Sequence, residues 1–443
     1  MDKNNTLDTP ENILQVERRR LLKNGLVAMT GAAALGMLPG SLRSMAYAAT
    51  TPLETTKAKL GFIALTDAAP LFVAAEKGFF AKYGMTEVEV TKQSSWGTTR
   101  DNLVLGSKNN GIDGAHILSP MPYLISTGKV TANNQPVPMY VLARLNLAGQ
   151  CISVSKEFAE LKVGVDATKF KSALAAKRAA GKAINAAVTF PGGTHDLWMR
   201  YWLAAAGIDP NKDISTIVVP PAQMVANMKV GSMDTFCVCE PWNEQLINQK
   251  IGYTAITTGE LWHNHPEKAF AMRSDWVDAN PNATNALLMA IMEAQMFCEK
   301  MENREEIAKI CSDRKWIGAP YNDIINRMKG KFDYGTGKVV ENSPEQMRYW
   351  KDFASYPYKS HDAWFITEDI RWGYLPANTD INALVNKVNR EDLWRTAAAK
   401  LNVPAADIPK TSSRGIEKFF DGKTFDPANP QAYLDSLKIK YTV

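Results

Sequence analysis

The stretch Thr189–Trp198, TFPGGTHDLW, joins an apolar, β-prone run (Ala186–Val188) to a segment with a helical pattern, Asp196–Ala206. A strand that leads through two glycines into a helix directs the unpaired N–H groups of the first helical turn at one point, where an anion is stabilised. His195 lies in that first turn and adds a side-chain donor. Taken alone, the pattern is equally consistent with a tight turn that carries a surface histidine. The stretch therefore predicts α/β structure and leaves open whether an anion binds there.

The first 48 residues have the pattern of an export signal. Arg18 and Arg19 begin the twin-arginine pattern RRRLLK, a weakly apolar run follows at Leu26–Leu38, and Ala46–Ala48 is a small-x-small cleavage site. The apolar run has about 13 residues, fewer than the roughly 20 that span a bilayer. We expect residues 1–48 to be a cleaved twin-arginine signal and the rest to be a soluble periplasmic protein. An uncleaved membrane anchor is the alternative.

Charge and cysteine usage exclude two classes of protein. Loss of residues 1–48 removes six basic and four acidic residues from a chain of formal charge +5, which leaves +3. With no block of basic residues, nucleic-acid binding is not indicated, whereas an anionic ligand is permitted. The five cysteines are odd in number and irregularly spaced, so they are not a disulfide framework. Cys237 and Cys239 share one face of a predicted strand, and we expect core thiols rather than a strained bridge.

Strands and helices alternate over residues 59–253, as in parallel α/β proteins. Thr66 and Asp67 predict an N-cap for a helix over Pro70–Lys77. The predicted strands are, in chain order, Leu60–Leu65, Glu87–Thr91, Ile112–Leu118, Met139–Leu145, Leu161–Val165, Ala186–Phe190, Ile214–Val219 and Met233–Val238.

An internal echo predicts two similar lobes. Leu103–Ala115 is a helix that ends on a glycine, then a tight turn, an aspartate and an apolar strand, and Met228–Phe236 repeats this order. After Trp276 the pattern changes to long amphipathic helices, of which Asn280–Lys300 and Ile381–Leu401 are the clearest. We expect these C-terminal helices to brace the first lobe.

Long and specific motifs occur in several parts of the mature chain. They are LGFIALTDAAP at Leu60–Pro70 with EKGFF at Glu76–Phe80, QSSWGTTRDN at Gln93–Asn102, FPGGTHDLW at Phe190–Trp198, and EPWNE at Glu240–Glu244. With these motifs the chain resembles the nitrate/bicarbonate solute-binding proteins of ABC importers, most closely the nitrate-binding proteins of cyanobacterial nitrate transporters. The resemblance covers essentially all of the mature chain. It implies a two-lobed periplasmic-binding-protein fold (type II-like) that clamps one anion in a cleft and is not an enzyme.

The predicted domain division follows the two strand sets. Residues 49–150 are the first part of lobe 1, residues 151–258 are lobe 2, and residues 259–443 return to lobe 1 with the C-terminal helices. We expect closure by a hinge motion near 147–153 and 252–258.

The resemblance also implies five ligand contacts. Trp96 and Gln150 match family positions on the first lobe and the hinge, His195 matches a third, and Lys268 matches the charged fourth position. The fifth position is a glycine in the family and Cys239 here. A cysteine can replace a glycine that supplies only a backbone N–H, but it is crowded where a positive φ or a close approach is needed.

The residue types at these positions favour nitrate. Nitrate is an acceptor only, so its site should present donors alone, and Trp96, Gln150, His195 and Lys268 are all donors. Lys268 also supplies the charge without which a buried anion would be uncompensated. Bicarbonate carries an O–H and needs an acceptor. As the resemblance implies, bicarbonate binders have an acidic residue where Lys268 stands and recruit calcium. A shift of one residue would place Glu267 there and reverse the prediction.

We therefore expect a protein without cofactor or metal that captures nitrate, with nitrite as a second ligand. Its expected partners are the permease and ATPase subunits of an ABC importer, with no nucleic acid and a monomeric state. The alternatives are a bicarbonate binder of the same fold, a nitrate sensor, and an enzyme with a Cys239–His195 dyad. His116, His263 and His265 lack the companion ligands at the spacing of a metal site.

Overall fold

Ten of the fourteen strands within residues 52–441 form two five-stranded mixed sheets. The structure is a computed structural model that describes residues 52–441, so the predicted signal at residues 1–48 lies outside the described residues. The strands of the two sheets are, in chain order, β1 (Lys57–Phe62), β2 (Glu87–Lys92), β3 (Gly114–Leu118), β4 (Met139–Arg144), β5 (Gln150–Ser155), β6 (Asn185–Val188), β7 (Ser215–Val218), β8 (Thr235–Cys239), β9 (Gly252–Thr257) and β10 (Lys268–Arg273).

Helices pack between and around the strands. They are α1 (Ala69–Glu76), α2 (Phe79–Lys82), α3 (Trp96–Leu105), α4 (Met121–Ser126), α5 (Thr168–Ala179), α6 (Thr194–Ala205), α7 (Met224–Lys229), α8 (Trp242–Asn248), α9 (Ser274–Ala279), α10 (Pro281–Glu299), α11 (Arg304–Ser312), α12 (Tyr321–Met328), α13 (Lys359–Arg371), α14 (Ile381–Val388), α15 (Glu391–Leu401) and α16 (Pro430–Ser436). Two short hairpins pair β11 (Phe332–Asp333) with β12 (Val339–Val340), and β13 (Glu417–Lys418) with β14 (Thr424–Phe425).

The two sheets share one topology. The first has the order β2-β1-β3-β10-β4 and the second has β7-β6-β8-β5-β9. In each, three parallel strands are followed by one strand that runs antiparallel to both its neighbours, β10 in the first sheet and β5 in the second. The central strands are buried along their length, as expected of strands covered on both faces. The α/β two-lobed prediction is confirmed, and the internal echo reflects this shared topology.

Two chain segments cross between the sheets. Residues 145–149 join β4 to β5, and residues 258–267 join β9 to β10. Leu147 forms isolated antiparallel bridges with Pro266 and with Arg348, so a third segment accompanies the crossing. The segments predicted as the hinge, 147–153 and 252–258, overlap these crossings but lie largely in the paired strands β5 and β9.

Two of the elements predicted from the sequence, one strand and one helix, are wrong. The predicted strand at Leu161–Val165 is absent: a 3-10 helix ends at Leu161, and the Tyr253 hydroxyl satisfies the backbone by accepting from Val163 N–H and donating to Phe158 C=O. The predicted helix at Ile381–Leu401 is two helices, because Asn389 donates from its side chain to Asp362 and leaves the helical path.

The C-terminal helices brace the first lobe, as predicted, and also extend to the second. Helix α10 packs on α1 and α2, and α15 packs on α10 and β4. Helices α13 and α16, by contrast, join the apolar cluster of the second sheet, where Trp364 stacks on Trp198 of α6 with ring centroids 5.0 Å apart. None of the helices within residues 52–441 is both long enough and apolar enough to cross a membrane.

Candidate functional site

The predicted ligand residues come from five elements whose ends meet between the sheets. Trp96 is the first residue of α3, Gln150 opens β5, His195 is the second residue of α6, Cys239 ends β8, and Lys268 opens β10. All five are buried. Gln150 and Cys239 are register partners, and the contacts below join Trp96, Gln150 and His195 to Lys268 or to its neighbours. The sequence-predicted set is therefore brought together.

The Lys268 ammonium is the centre of this group. Its Nζ lies 2.8 Å from Asp67 Oδ2 and 2.9 Å from Glu267 Oε1. His195 Nε2 is 3.4 Å away, and the ring centroid of Trp96 is 6.0 Å away. Burial alone would lower the pKa of Lys268, but the charges of Asp67 and Glu267 outweigh burial and raise it. Lys268 therefore remains a full positive charge inside the protein.

Gln150 and His195 form an uncharged, hydrogen-bonded pair beside Lys268. The Gln150 Oε1 lies 2.6 Å from His195 Nε2, and the Gln150 amide donates to Asp67 Oδ2 over 3.3 Å. His195 Nδ1 lies 2.5 Å from Thr189 Oγ1. This pattern assigns the proton of His195 to Nε2 and makes Nδ1 the acceptor. Burial and the charge of Lys268 hold the pKa of His195 well below its usual range, so the imidazole is a neutral donor.

Asp67 is part of this site, which the sequence reading missed. Its Oδ1 lies 2.7 Å from His116 Nε2 while its Oδ2 faces Lys268. Burial would raise the pKa of Asp67, but Lys268 and His116 lower it below its ordinary value. The predicted N-cap role is wrong, since the start of α1 has no side-chain cap hydrogen bond. The signal that could have found Asp67 is its place just after β1, because carboxyl ends of parallel strands meet at ligand clefts.

Glu267 is the second carboxylate of the site. It accepts hydrogen bonds from Thr194 Oγ1, from Trp198 Nε1 at 2.7 Å, and from Lys268. Burial raises the pKa of Glu267. The expectation of a site that presents donors alone is therefore wrong, because Asp67 and Glu267 both flank the ammonium. A buried ammonium needs counter-charge, and Asp67 and Glu267 supply it to Lys268. Sequence spacing does not reveal which carboxylates do so.

Trp96 and Cys239 complete the group. Trp96 Nε1 is buried and has no hydrogen-bond partner within residues 52–441, and the indole lies 5.3 Å from the His116 ring between centroids. The backbone of Cys239 lies outside the positive-φ region, so backbone conformation does not require a glycine at this position. The Cys239 Sγ lies 3.8 Å from Thr66 Oγ1. Burial raises the pKa of its thiol, and the five cysteines are buried with free thiols.

The turn at 190–194 lies against the opposite lobe. Gly192 has a φ of 70°, and its N–H donates to Asp196 Oδ2 over 2.9 Å. A Cβ at Gly193 would lie 2.5 Å from Leu118 Cδ1 of β3. The two glycines thus let the turn bend left-handedly and approach the first sheet closely. The α6 start that follows this turn delivers His195 to the group around Lys268.

The EPWNE motif forms contacts between the lobes. Thr66 N–H donates to Glu240 C=O over 2.9 Å, and Trp242 Nε1 donates to Ala64 C=O over 3.1 Å. Tyr349 adds a hydrogen bond of 2.9 Å to Thr66 C=O. A cavity of about 20 Å³ lies beside these contacts; its lining includes Thr66, Gly149, Glu240, Arg304, Arg327 and Tyr349. The lobes therefore touch directly.

A second buried cation lies next to this contact. Arg327 of α12 directs Nη1 at Glu240 Oε1 (2.7 Å) and Nε at Glu244 Oε2 (2.9 Å). Its remaining N–H groups go to Cys151 Sγ, Thr254 Oγ1 and Asp333 C=O at 2.8–3.0 Å. All five donors of the guanidinium are thus used within the protein.

His263 and His265 have hydrogen-bond partners outside the group around Lys268. His265 Nε2 lies 2.8 Å from Thr258 Oγ1, and His263 Nδ1 lies 3.1 Å from Glu345. Within the part of the chain that the structure describes, no three His, Cys, Asp or Glu side chains are arranged to hold a metal ion.

Comparison with known proteins identifies the family. Residues 51–312 match the model of the NMT1-like family. The nitrate/nitrite binding protein NrtA of Synechocystis is 65% identical over 388 residues, which cover 87% of this chain and 86% of NrtA. The bicarbonate-binding protein CmpA of Synechococcus elongatus is 46% identical over 89% of each chain. The crystal structure of the periplasmic nitrate-binding protein NrtA from Synechocystis superposes with a TM-score of 0.86 at 63% identity, over 88% of this chain and all of that one. The chain belongs to the NMT1-like family and to the family that contains NrtA.

Proposed function

We propose that this protein is the substrate-binding component of an ABC importer and that it captures nitrate, with nitrite as a second ligand, between its two lobes. The observation that carries this proposal is the fully buried Lys268 ammonium, which lies between the carboxylates Asp67 and Glu267 and beside the neutral donors Gln150, His195 and Trp96. The greater similarity to NrtA than to CmpA supports nitrate over bicarbonate.

Each proposed ligand residue has a distinct task. Lys268 compensates the charge of the anion, and Gln150 and His195 donate N–H groups in its plane. Trp96 offers a flat apolar face and an indole N–H that is not used inside the protein. Cys239 contributes its backbone N–H. Because these groups belong to elements of both sheets, the lobes must close before all of them reach one small anion.

We also propose that the protein is not an enzyme. The thiol of Cys239 is neutral, since burial raises its pKa, and both ring nitrogens of His195 are engaged by Gln150 and Thr189. The Cys239–His195 pair therefore lacks the base that would activate a thiol nucleophile. The expectation of a cofactor-free protein remains part of this proposal.

The cellular setting is a proposal as well. Residues 1–48 act as a twin-arginine signal, after which residues 49–150 and 259–443 form lobe 1 and residues 151–258 form lobe 2. The released protein works in the periplasm as a monomer and passes its anion to the permease and ATPase subunits. A cytoplasmic nitrate sensor would have no use for such a signal.

Bicarbonate is the second candidate ligand, and one observation favours it. Asp67 and Glu267 lie within 3 Å of Lys268 Nζ, and either carboxylate could accept the O–H of bicarbonate. The ammonium opposes this reading, because Lys268 already engages Asp67 Oδ2 and Glu267 Oε1, which are oxygens that a calcium ion would need as ligands.

Isothermal titration of the purified protein tests the proposal. Nitrate, nitrite and bicarbonate are each titrated with and without calcium. We expect saturable heat with nitrate and nitrite that is independent of calcium. Saturation by bicarbonate alone, above all in the presence of calcium, would contradict the nitrate assignment in favour of the second candidate.

A further inference from the structure

The group at Lys268 carries more negative than positive charge. Asp67 and Glu267 contribute two carboxylates, and Lys268 contributes one ammonium; we call these three residues the Lys268 cluster. Every side chain of the cluster is fully buried. A monovalent anion that enters between the lobes therefore joins a site that already lacks positive charge.

This charge count conflicts with anion binding unless something else enters as well. Asp67 Oδ2 already takes hydrogen bonds from Lys268 and from the Gln150 amide, which are two of the donors that a nitrate would use. An anion brought near two carboxylates in a buried site is repelled strongly, because little water screens the charges. The repulsion is relieved if one carboxylate becomes a neutral acid.

We propose that the site binds its anion together with one proton, which the Asp67–Glu267 pair holds. The proposal rests on the proposed function, since it concerns the same anion site. The proton comes from solvent and adds to a carboxylate oxygen, so that the cluster, the proton and the anion together keep the net charge that the empty cluster had. A protonated carboxyl also gains an O–H, which can donate to the anion. One of the two acceptors that conflict with nitrate thereby becomes a donor.

The groups that face Asp67 do not readily take up the proton, so we assign it to the carboxylate pair. From β3, His116 contacts Asp67, and burial lowers the pKa of that imidazole. From β5 the neighbour is the Gln150 amide, and from β10 it is Lys268, which is already charged. From β8 the neighbour is the Cys239 thiol, whose pKa is raised. None of these groups gains a proton readily.

The surroundings of Glu267 point the same way. From α6 it is faced by Thr194, Trp198 and His195, the last at 3.8 Å. His265 lies 3.6 Å away in the crossing segment, and burial lowers its pKa to about 3. Burial raises the pKa of Glu267 itself. Asp67 and Glu267 both contact the Lys268 ammonium and are coupled through it. The proton is therefore assigned to the pair and not to one oxygen.

Calorimetry in two buffers measures the proton directly. Nitrate is titrated into the purified protein at pH 8 in phosphate and in Tris, whose ionisation enthalpies differ widely. We expect the observed enthalpies to differ by an amount that corresponds to about one proton absorbed per nitrate. We also expect the Kd to rise by up to about tenfold between pH 7 and pH 8, as uptake of one proton requires. Nitrate binding with equal enthalpies in both buffers would overturn the inference while leaving the proposed function intact. An absence of nitrate binding in both buffers and by equilibrium dialysis would refute both.

Two variants locate the proton. Glu267→Gln and Asp67→Asn each replace a carboxylate by an amide of the same shape. We expect at least one of them to bind nitrate with proton uptake reduced by half or more and with a weaker dependence of Kd on pH. Full proton uptake in both variants would overturn the assignment to this pair.

A control and a fallback keep the test decisive. Glu293→Gln removes a carboxylate of α10 that pairs with Lys82 and Tyr83. This variant should leave both nitrate affinity and proton uptake unchanged. Thermal unfolding checks that each variant is folded. If a cleft variant does not fold, the two-buffer measurement on the unmodified protein still decides whether a proton binds with the anion.

Discussion

Within residues 52–441, two buried cations lie between pairs of carboxylates, and they differ in how many of their N–H donors have a partner. In the Lys268 cluster, Asp67 and Glu267 take two of the three ammonium donors, and the next neighbour, His195 Nε2, is 3.4 Å away and already carries a proton. In the Arg327 cluster, which we define as Glu240, Glu244 and Arg327, all five guanidinium donors have partners.

This difference separates a structural ion pair from one that can exchange its partners. The planar guanidinium of Arg327 fits a fixed set of acceptors and fastens α12 to the second sheet and α8. The ammonium of Lys268 is a compact charge with rotatable donors, so it can replace a carboxylate partner by another anion with little change in geometry. We expect changes at Arg327 to affect stability and changes at Lys268 to affect binding.

The largest expected effect is that of Lys268→Glu. This change reverses the only positive charge of its cluster and leaves three carboxylates in a buried site. Removing one partner of a buried charge pair at a binding site costs about 2–5 kcal/mol of binding free energy. Because the new carboxylate also repels the anion, nitrate affinity should fall by at least about 100-fold. Titration calorimetry measures it, with Lys77→Glu, on the surface pair with Glu306, as the charge-matched control. Unchanged affinity would remove Lys268 from the proposed site.

Arg327→Met should have its main effect on folding. It leaves Glu240 and Glu244 buried without a cation, and we expect the free energy of unfolding to fall by about 3–5 kcal/mol. Urea unfolding measures this loss. Nitrate affinity of the folded fraction should change by less than about threefold. A loss of nitrate affinity as large as that of Lys268→Glu would mean that the Arg327 cluster also serves anion binding.

Trp96→Phe tests the unsatisfied donor beside Lys268. Removing one hydrogen bond to a charged ligand costs about 1.5–3 kcal/mol, so nitrate binding should weaken by roughly 10-fold or more. Stability should change by no more than about 1 kcal/mol, because a buried unpaired N–H is also removed. Trp202→Phe is the matched control: its Nε1 donates to Gly164 C=O in the second-lobe core, so stability should fall and affinity should stay. If the Trp96 variant behaves like the control, Trp96 only packs.

The smallest expected effect is that of Cys239→Gly. The change introduces the glycine that the resemblance implies at this position, and the backbone of Cys239 needs no positive φ. If only the backbone N–H meets the anion, nitrate affinity should change by less than about threefold. Stability should fall by about 0.5–1 kcal/mol, the usual cost of glycine within a strand. A tenfold change in affinity would show that the thiol itself contacts the ligand.

The fold was largely predictable because its strands are short, apolar and closed by turn residues. The echo between Leu103–Ala115 and Met228–Phe236 reflects the shared order of the two sheets. The errors arose where tertiary hydrogen bonds replaced local preference. Tyr253 satisfies the backbone near Val163 without a strand, and Asn389 divides one helical pattern into two helices.

The site was predictable only in part. Resemblance to a family indicates which positions meet a ligand, and the structure brings Trp96, Gln150, His195 and Lys268 together. It did not indicate the charge balance around them. Asp67 looked like a helix cap because a capping aspartate and a buried counter-ion have the same local sequence, and only the packing of β1 against β10 through β3 distinguishes them.

The hydrogen bonds between the lobes affect how long a captured anion stays bound. Thr66 N–H to Glu240 C=O and Trp242 Nε1 to Ala64 C=O join protein atoms only, so neither bond uses the anion as a partner. At about 1 kcal/mol each, two such bonds enrich the closed form roughly 30-fold before any ligand contact is counted. The residence time of a captured anion is then governed by how often these bonds open. A permease that loosens the contact between Thr66 and Glu240 would speed release without touching the anion.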